Sequence, residues 1–468
     1  MEGQFTYSVE ELELEDAVRC QKIKDILRIL MISDDTAHRI AQVFRNEMDL
    51  ALDEKSSSLQ MENTYIPELP NGSEEGIYLA LDLGGTNFRV ILMELRNSIV
   101  VREEVKHYHI PDALRIGCGD TLFDYLAECV DNFVQEQKMT NEEIIMGFTF
   151  SFPMKQHSLD SGCLVTWTKS FNCPSIVNED VVRKLRESLK KFGRSNIQVL
   201  AILNDTTGTL VQGAQLDRNT RIGIVVGTGT NACYMENADR VKHWEIQRHG
   251  EEHVIIDVEW GAFGDNGTLD FIKTEFDRIV DNGSLLKNSF TFEKYIAGKY
   301  LGELCRVIMK SLADQSLFLA GSDLQKFPAP WTFGSDNVSL IEQDTLEGTD
   351  HRLKEILKKY GYTFKKDYTI DDIRILRYIC GLISKRAGLF LAITTSVLLE
   401  RMAEEEITVA IDGSVYKHHF RLRQWLHYYT NKFVPQKKSK FMLTEDGSGK
   451  GAALVAAIAK RLLHQRDQ

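Results

Sequence analysis

The sequence predicts an α/β protein whose two related halves face one another across a cleft. Two strand–turn–strand units and the helices around them carry that prediction. In the first unit, apolar residues 77–81 run into the turn Asp82-Leu83-Gly84-Gly85-Thr86-Asn87, and residues 88–95 form a second apolar run. Later, residues 222–226 run into Gly227-Thr228-Gly229-Thr230-Asn231 and the strand resumes over 232–235. Both units share a Gly-Thr-Asn core, and a strand–turn–strand unit repeated far along a chain marks duplicated architecture. Helical patterning over 179–192, 371–400 and 451–463 lies between or after these strands.

Taken in order, residues 8–56 read as helical, because Val18, Ile23, Ile26, Leu27, Leu30 and Met31 recur at three- and four-residue spacing. The polar stretch 54–61 and the cluster Pro67, Pro70, Asn71-Gly72-Ser73 then mark a first boundary. After the second unit, residues 408–411 running into Asp412-Gly413-Ser414 read as a third variant of the same pattern.

Length and charge narrow the function. The 468 residues suit two or three domains, and 43% apolar with 26% charged residues is an ordinary globular composition. A net charge of −12 argues against a general nucleic-acid binder or a polybasic membrane protein. The longest promising apolar stretch, 387–399, falls short of the roughly 20 residues a spanning helix needs, so membrane insertion is not expected. Glu2, Glu10, Glu11, Glu13, Glu15 and Asp16 precede the first base, Arg19, the reverse of a secretory or mitochondrial leader. A cytosolic location is expected, with partner-mediated mitochondrial association left open. The 8 cysteines show neither zinc nor redox spacing and are expected as reduced thiols.

A pair of Gly-Thr turns suits a phosphate chain: glycine lets the backbone approach closely, and turn N–H groups with Thr hydroxyls form an anion nest. The segment Gly447-Ser448-Gly449-Lys450-Gly451 lacks P-loop spacing, and protein-kinase HRD and DFG elements are missing. Two weaker signals have plainer structural explanations. The basic, aromatic-rich stretch 413–444 reads as a helix face beside an anionic site with its aromatics in the core, rather than as a nucleic-acid surface. His249 and His253 have the spacing of a zinc helix, but Gly250 between them and the lack of a third ligand argue against a metal.

The run Leu81-Asp82-Leu83-Gly84-Gly85-Thr86-Asn87-Phe88-Arg89-Val90 resembles the first phosphate motif of the eukaryotic hexokinases. Phe150-Ser151-Phe152-Pro153, with Trp167-Thr168-Lys169 and Phe171, resembles their sugar-binding segment, and Leu203-Asn204-Asp205-Thr206 their catalytic loop. Gly227-Thr228-Gly229-Thr230-Asn231-Ala232-Cys233-Tyr234 resembles the second phosphate motif. Glu259-Trp260-Gly261, Phe292-Glu293-Lys294, Asp412-Gly413-Ser414-Val415 and Gly447-Ser448-Gly449 follow in family order, and the similarity runs from about residue 20 to 463.

The resemblance implies two actin-like (ribonuclease H-like) domains with mixed β-sheets flanked by helices, closing on sugar and ATP. It places 1–66 and 206–444 in the large domain, and 72–202 with the returning 445–468 in the small one. The implied activity is ATP-dependent phosphorylation of a hexose, glucose first, to hexose 6-phosphate, the first step of glycolysis. Asp205 would be the general base, with Lys169 stabilising charge on the reacting oxygens. The sugar would be held by Ser151, Phe152, Pro153, Thr168, Lys169, Asn204, Asp205, Asn231, Glu259 and Glu293. ATP would meet Asp82, Gly84, Gly85, Thr86, Asn87 and Arg89 from the first motif. From the second half it would meet Gly227, Thr228, Gly229, Lys299, Gly413, Ser414 and Val415. Mg²⁺ would ride on the ATP phosphates, reached by Asp82 through water, with no all-protein metal site. Protein partners are unspecified.

Four positions depart from the family pattern. Asp257 stands where Asn is common and adds a carboxylate beside the sugar site, which would shift the Glu259 pKa. Ser170 and Asn237 replace other usual residues, and Lys417-His418-His419-Phe420 lacks the usual Pro. These departures are the support for a rival reading, a sugar-binding regulator that kept the fold and lost turnover. An actin- or chaperone-type ATPase is a second rival, but it has no use for the Ser151–Pro153 and Thr168–Lys169 segments.

Overall fold

The computed structural model describes residues 8–85, 87–169 and 171–466. Its strands are β1 (Glu62–Asn63), β2 (Gly76–Leu83), β3 (Asn87–Arg96), β4 (Ile99–His109) and β5 (Ile144–Phe150). A short hairpin follows, β6 (Met154–Ser158) with β7 (Ser161–Leu164), and then β8 (Ile197–Leu203). The second half supplies β9 (Thr220–Val226), β10 (Thr230–Asn237), β11 (His253–Asp257), β12 (Glu406–Asp412) and β13 (Lys438–Leu443).

These strands build two sheets on one plan. The first has the order β4-β3-β2-β5-β8, the second β1-β11-β10-β9-β12-β13. In the first, β2, β3 and β4 form an antiparallel meander, and β5 and β8 add in parallel on the far side of β2. In the second, β9, β10 and β11 form the meander, and β12 and β13 add in parallel beyond β9. The two Gly-Thr turns thus occupy equivalent places, after the first strand of each meander. β5 and β12 read as apolar runs because parallel strands are covered on both faces. β4 is an edge strand, and Arg102, Glu103, Glu104 and Lys106 on it keep other chains from pairing there.

The third unit is not a hairpin. β12 is parallel to both neighbours and leads into the helix Ser414–His418, because Gly413 at φ 111 turns the chain out of the sheet. The N-terminal helical reading is also corrected. Residues 8–16 are not helical; Asp16 accepts from the Val18 and Arg19 amides and starts the helix Ala17–Leu27. A 3₁₀ turn, Arg28–Leu30, separates it from Asp34–Leu52, which Ser33 caps.

Among the described residues one helix, Ile370–Arg401, is long and apolar enough to cross a membrane, but 94% of its apolar window is buried inside the protein. It runs through the main core, where Arg386 makes bonds of 2.8 and 2.7 Å to Asp277. Tyr416, Trp425 and Tyr429 of the basic stretch are core residues too, while Phe420 is exposed. His419, in the Lys417–Phe420 run without Pro, is buried at the break between the helices Ser414–His418 and Phe420–Phe433. His253 opens β11 and His249 precedes it in a loop, so the two do not share a helix.

The last helix, Gly447–Arg466, starts before the predicted 451 and packs on β2, β5, β8 and the helix Asp205–Leu216. Glycines permit the approach: a Cβ on Gly147 would stand 2.1 Å from the Ala452 carbonyl oxygen, and one on Gly451 2.2 Å from the Gly208 Cα. All 8 cysteines are free thiols.

Candidate active site

Parallel strands present their carboxyl ends to ligands, and the site residues follow that rule. Gly84 and Gly85 follow β2, Ser151 follows β5 and Asn204 follows β8; on the other sheet Gly227 follows β9 and Gly413 follows β12. A cleft of about 580 Å³ opens between these ends. Its lining includes Gly84, Gly85, Ser151, Phe152, Pro153, Thr168, Lys169, Asn204 and Asp205 from one side. From the other come Thr228, Gly229, Asn231, Glu259, Glu293 and Lys299.

The segment expected to bind sugar is stiffened by aromatic packing. Phe152 meets Trp167 edge-on at 4.8 Å and Phe171 at 5.1 Å, while Trp167 and Phe171 stack at 5.4 Å. The Trp167 indole donates to the Cys173 carbonyl at 2.8 Å. Lys169 projects from this platform with φ 53, a left-handed backbone uncommon for a side chain this long. Its ammonium lies 3.8 Å from Asp205.

Asp205 owes its place to helix capping. The Asn204 side chain accepts from the Thr206 amide at 3.1 Å and starts the helix Asp205–Leu216, with Asp205 in its first turn. The partial positive charge of a helix N-terminus favours a carboxylate there. Asn204 also donates from Nδ2 to Glu259 Oε1 at 3.2 Å, and Asn231 Nδ2 donates to the same oxygen at 3.2 Å. Glu259 also has φ 53, so two charged side chains of the site, Lys169 and Glu259, stand on left-handed backbone. Burial raises the Glu259 pKa well above its usual range, and the charges of Asp257 and Asp205 push it further. Burial likewise raises Glu293, opposed by the Thr230 N–H it accepts at 3.0 Å and by Lys169.

The residues expected on the nucleotide side divide. Thr228 and Gly229 line the cleft, and the start of the helix Gly298–Asp314 donates back to the turn, Gly298 to Gly227 O at 2.9 Å and Lys299 to Thr228 O at 3.2 Å. Gly413, Ser414 and Val415 stand behind this turn and are not part of the cleft lining. Asp82 and Arg89 are not in the lining either. Arg89 Nε donates to Asp82 at 3.1 Å and Nη1 to Asp446 at 2.6 Å, while Ser448 Oγ donates to Asp82 at 2.8 Å. Asn87 opens β3, opposite His109. Thr86 and Ser170 lie outside the described residues.

Thr230 and Gly261, members of two of the sequence motifs, also line the cleft, and so do Val225, Leu286, Phe290 and Tyr300, for which the sequence implies no site role. Leu286 and Phe290 belong to a loop pinned from behind. Lys294 donates to the Leu286 carbonyl at 2.6 Å, Asn288 N–H to Asp281 at 3.0 Å, and Phe290 N–H to Asp265 at 2.9 Å. Two adjacent leucines in an otherwise polar loop were the available signal.

Two hexokinase family models match the chain, over residues 22–215 and 221–458. Human Hexokinase-1 is 36% identical over 467 residues, covering 97% of this chain and 50% of that protein. Rat Hexokinase-2 is 38% identical over 456 residues, covering 95% and 49%. The chain thus spans about half the length of the curated relatives it matches. Among solved structures, a hexokinase from Schistosoma mansoni complexed with glucose superposes with a TM-score of 0.86 at 34% identity, covering 95% of this chain and 100% of that one. With both halves matched in order and the sheets, turns and cleft in place, the chain belongs to the hexokinase family.

Proposed function

We propose that this chain transfers the γ-phosphoryl group of ATP to a hexose, glucose first, to give a hexose 6-phosphate. The observation that carries the reading is Asp205 at a helix start, 3.8 Å from the Lys169 ammonium, in a cleft that also presents Asn204, Asn231, Glu259 and Glu293. A sugar hydroxyl beside Asp205 loses its proton to that carboxylate as its oxygen attacks the γ-phosphorus. The bond to the bridging oxygen breaks and ADP leaves. Lys169 offsets the negative charge gathering on the transferring group, which is where such reactions need help. Amides and carboxylates around the ring discriminate by pairing, since a sugar lacking a hydroxyl strands a buried acceptor.

Mg²⁺ enters as part of the nucleotide substrate. Arg89 and Ser448 occupy one oxygen of Asp82; the other, Oδ1, lies on the Gly84 side and suits a water-mediated contact. The domain division 1–66 and 206–444 against 72–202 and 445–468 is part of the same reading, supported by the packing of the last helix on β2, β5 and β8. Closure of the two parts would expel water and spare ATP from hydrolysis.

ADP release from Mg-ATP, with and without glucose, tests the reading. Glucose-dependent turnover is expected in the wild type, with kcat lower by about 10²–10⁴ in Asp205→Ala. A wild type that binds glucose and releases no ADP establishes the regulator instead.

A further inference from the structure

Behind the cleft wall lies a buried carboxyl group that the proposed chemistry does not use. Asp257 ends β11, is 5% exposed, and stands behind Glu259, which is 9% exposed. Both carboxyls converge on one amide: Asn231 Nδ2 is 2.7 Å from Asp257 Oδ1 and 3.2 Å from Glu259 Oε1. Thr206 Oγ1 reaches Asp257 Oδ1 only at 3.4 Å.

The groups facing Asp257 from its surroundings are acids. Glu62 stands opposite on β1, Cys233 opposite on β10, and Asp205 acts from the start of the helix Asp205–Leu216. No salt bridge to Asp257 exists among the described residues, and Lys169, which reaches Glu259 electrostatically, is spent on Asp205. Two carboxylates this close, buried and without a cation, cannot both stay ionised. Burial raises Asp257, and burial with the Asp257 charge raises Glu259.

We propose that Asp257 is a positioning residue whose carboxyl keeps a proton on the Asp257–Glu259 pair, and that hexose binding depends on this proton. Burial and the Asp257 charge raise Glu259, and the hydrogen bond between the two carboxyls raises Glu259 while lowering Asp257, so the shared proton is donated from Glu259 toward Asp257 and the remaining Glu259 oxygen is the acceptor for sugar hydroxyls. The proton belongs to the pair and comes from solvent. A bound hexose expels water from the pair and makes a second charge there still less favourable, so the pair holds its proton to higher pH with sugar than without. The sign follows: glucose affinity is constant below the pKa of the free pair, then weakens by up to tenfold per pH unit as pH rises toward the pKa of the bound pair.

This inference rests on the hexose-kinase reading, and equilibrium binding separates the two. Glucose is titrated by tryptophan fluorescence between about pH 6 and pH 9, with Trp167 and Trp260, the residue after Glu259, as reporters. Wild type, Asp257→Asn and Glu62→Gln are compared. Glu62 is the control because burial pushes it up to about 8, within the same range. Wild type and Glu62→Gln are expected to lose affinity on the alkaline side, and Asp257→Asn to bind with a flat profile. Calorimetry of the wild type in buffers of different ionisation enthalpy should also show proton uptake on the alkaline limb, a readout that needs no variant to fold. A flat wild-type profile with no proton uptake overturns the inference and leaves the kinase reading standing. So does a slope kept in Asp257→Asn and lost in Glu62→Gln, which moves the proton to Glu62. No glucose binding at any pH overturns both readings.

Discussion

The turn between β2 and β3 and the turn between β9 and β10 carry the same Gly-Thr-Asn triplet between antiparallel strands, but the structure anchors them by different forces. Around the first, a Cβ on Gly85 would meet nothing within 4 Å, and one on Gly84 would meet no backbone, only the Ser151 side chain at 3.3 Å and Asp82 at 4.0 Å. Its hold on the rest of the protein is electrostatic, through Arg89 to Asp82 and Asp446. Around the second there is no room. A Cβ on Gly229 would lie 2.6 Å from Glu293 Oε2, one on Gly298 2.6 Å from Val415, and one on Gly413 2.4 Å from the Val226 carbonyl oxygen. One sequence pattern therefore serves both an open turn tethered by charge and a closed turn set by backbone packing. The pattern specifies the bend, and residues distant in sequence specify its stiffness.

The largest effect should come from filling the tight side. Gly413 combines φ 111 and ψ 149, a region open essentially to glycine alone, with a Cβ position inside the β9–β10 turn. In Gly413→Ala, strain of about 1–3 kcal/mol adds to overpacking of about 1–3 kcal/mol. Denaturant unfolding should show a loss of about 2–6 kcal/mol, by the same addition. A stability within about 0.5 kcal/mol of wild type would mean the second turn yields as easily as the first.

Cutting the charge tether comes next. Arg89 is 17% exposed and Asp82 8%, so Arg89→Ala leaves a mostly buried carboxylate with Ser448 as its remaining partner. The cost should be about 2–3 kcal/mol, below the 3–5 of a fully buried pair because solvent reaches the guanidinium. Asp446, 62% exposed, is the weaker end of the tether. Asp446→Asn should cost under about 1 kcal/mol and fade with salt. Equal losses in the two variants would dissolve the distinction between the inner and outer parts of the clasp.

This contrast also marks what a linear sequence reveals. The strand–turn–strand units, the helix Ile370–Arg401 and the residues around Asp205 and Glu259 were legible because local periodicity and contiguous motifs encode them. The shift that Asp257 imposes on Glu259 was legible too, since two carboxylates sit two residues apart on one strand end. The clasp was not, because Arg89 and Asp446 are 357 positions apart and meet only after the last helix has folded back. Nor was the wall formed by Leu286 and Phe290. Asn288 and Phe290 adopt left-handed φ of 57, held there by Asp281, Lys294 and Asp265, and no local propensity announces such a loop. The helical reading of 8–16 failed for a local reason. Asp16 accepts two backbone amides and fixes the start of the helix, which periodicity cannot see.

The smallest structural effect carries the sharpest functional question. Gly85→Ala adds a methyl to open space at a residue without left-handed φ, so stability should stay within about 0.5 kcal/mol of wild type. A glycine with nothing packed against it has another use in a turn: an anion can come up against the bare backbone. If the first turn receives phosphate, the same methyl occupies the approach, and KM for ATP should rise about tenfold, roughly 1.4 kcal/mol, while KM for glucose holds. Steady-state kinetics with each substrate varied in turn separates these. An unchanged KM for ATP would leave nucleotide binding to the second turn and make the openness around Gly85 a feature of the hairpin alone. A rise in both constants together would instead mean that the methyl disturbs the cleft as a whole, and that the first turn is stiffer than its empty surroundings imply.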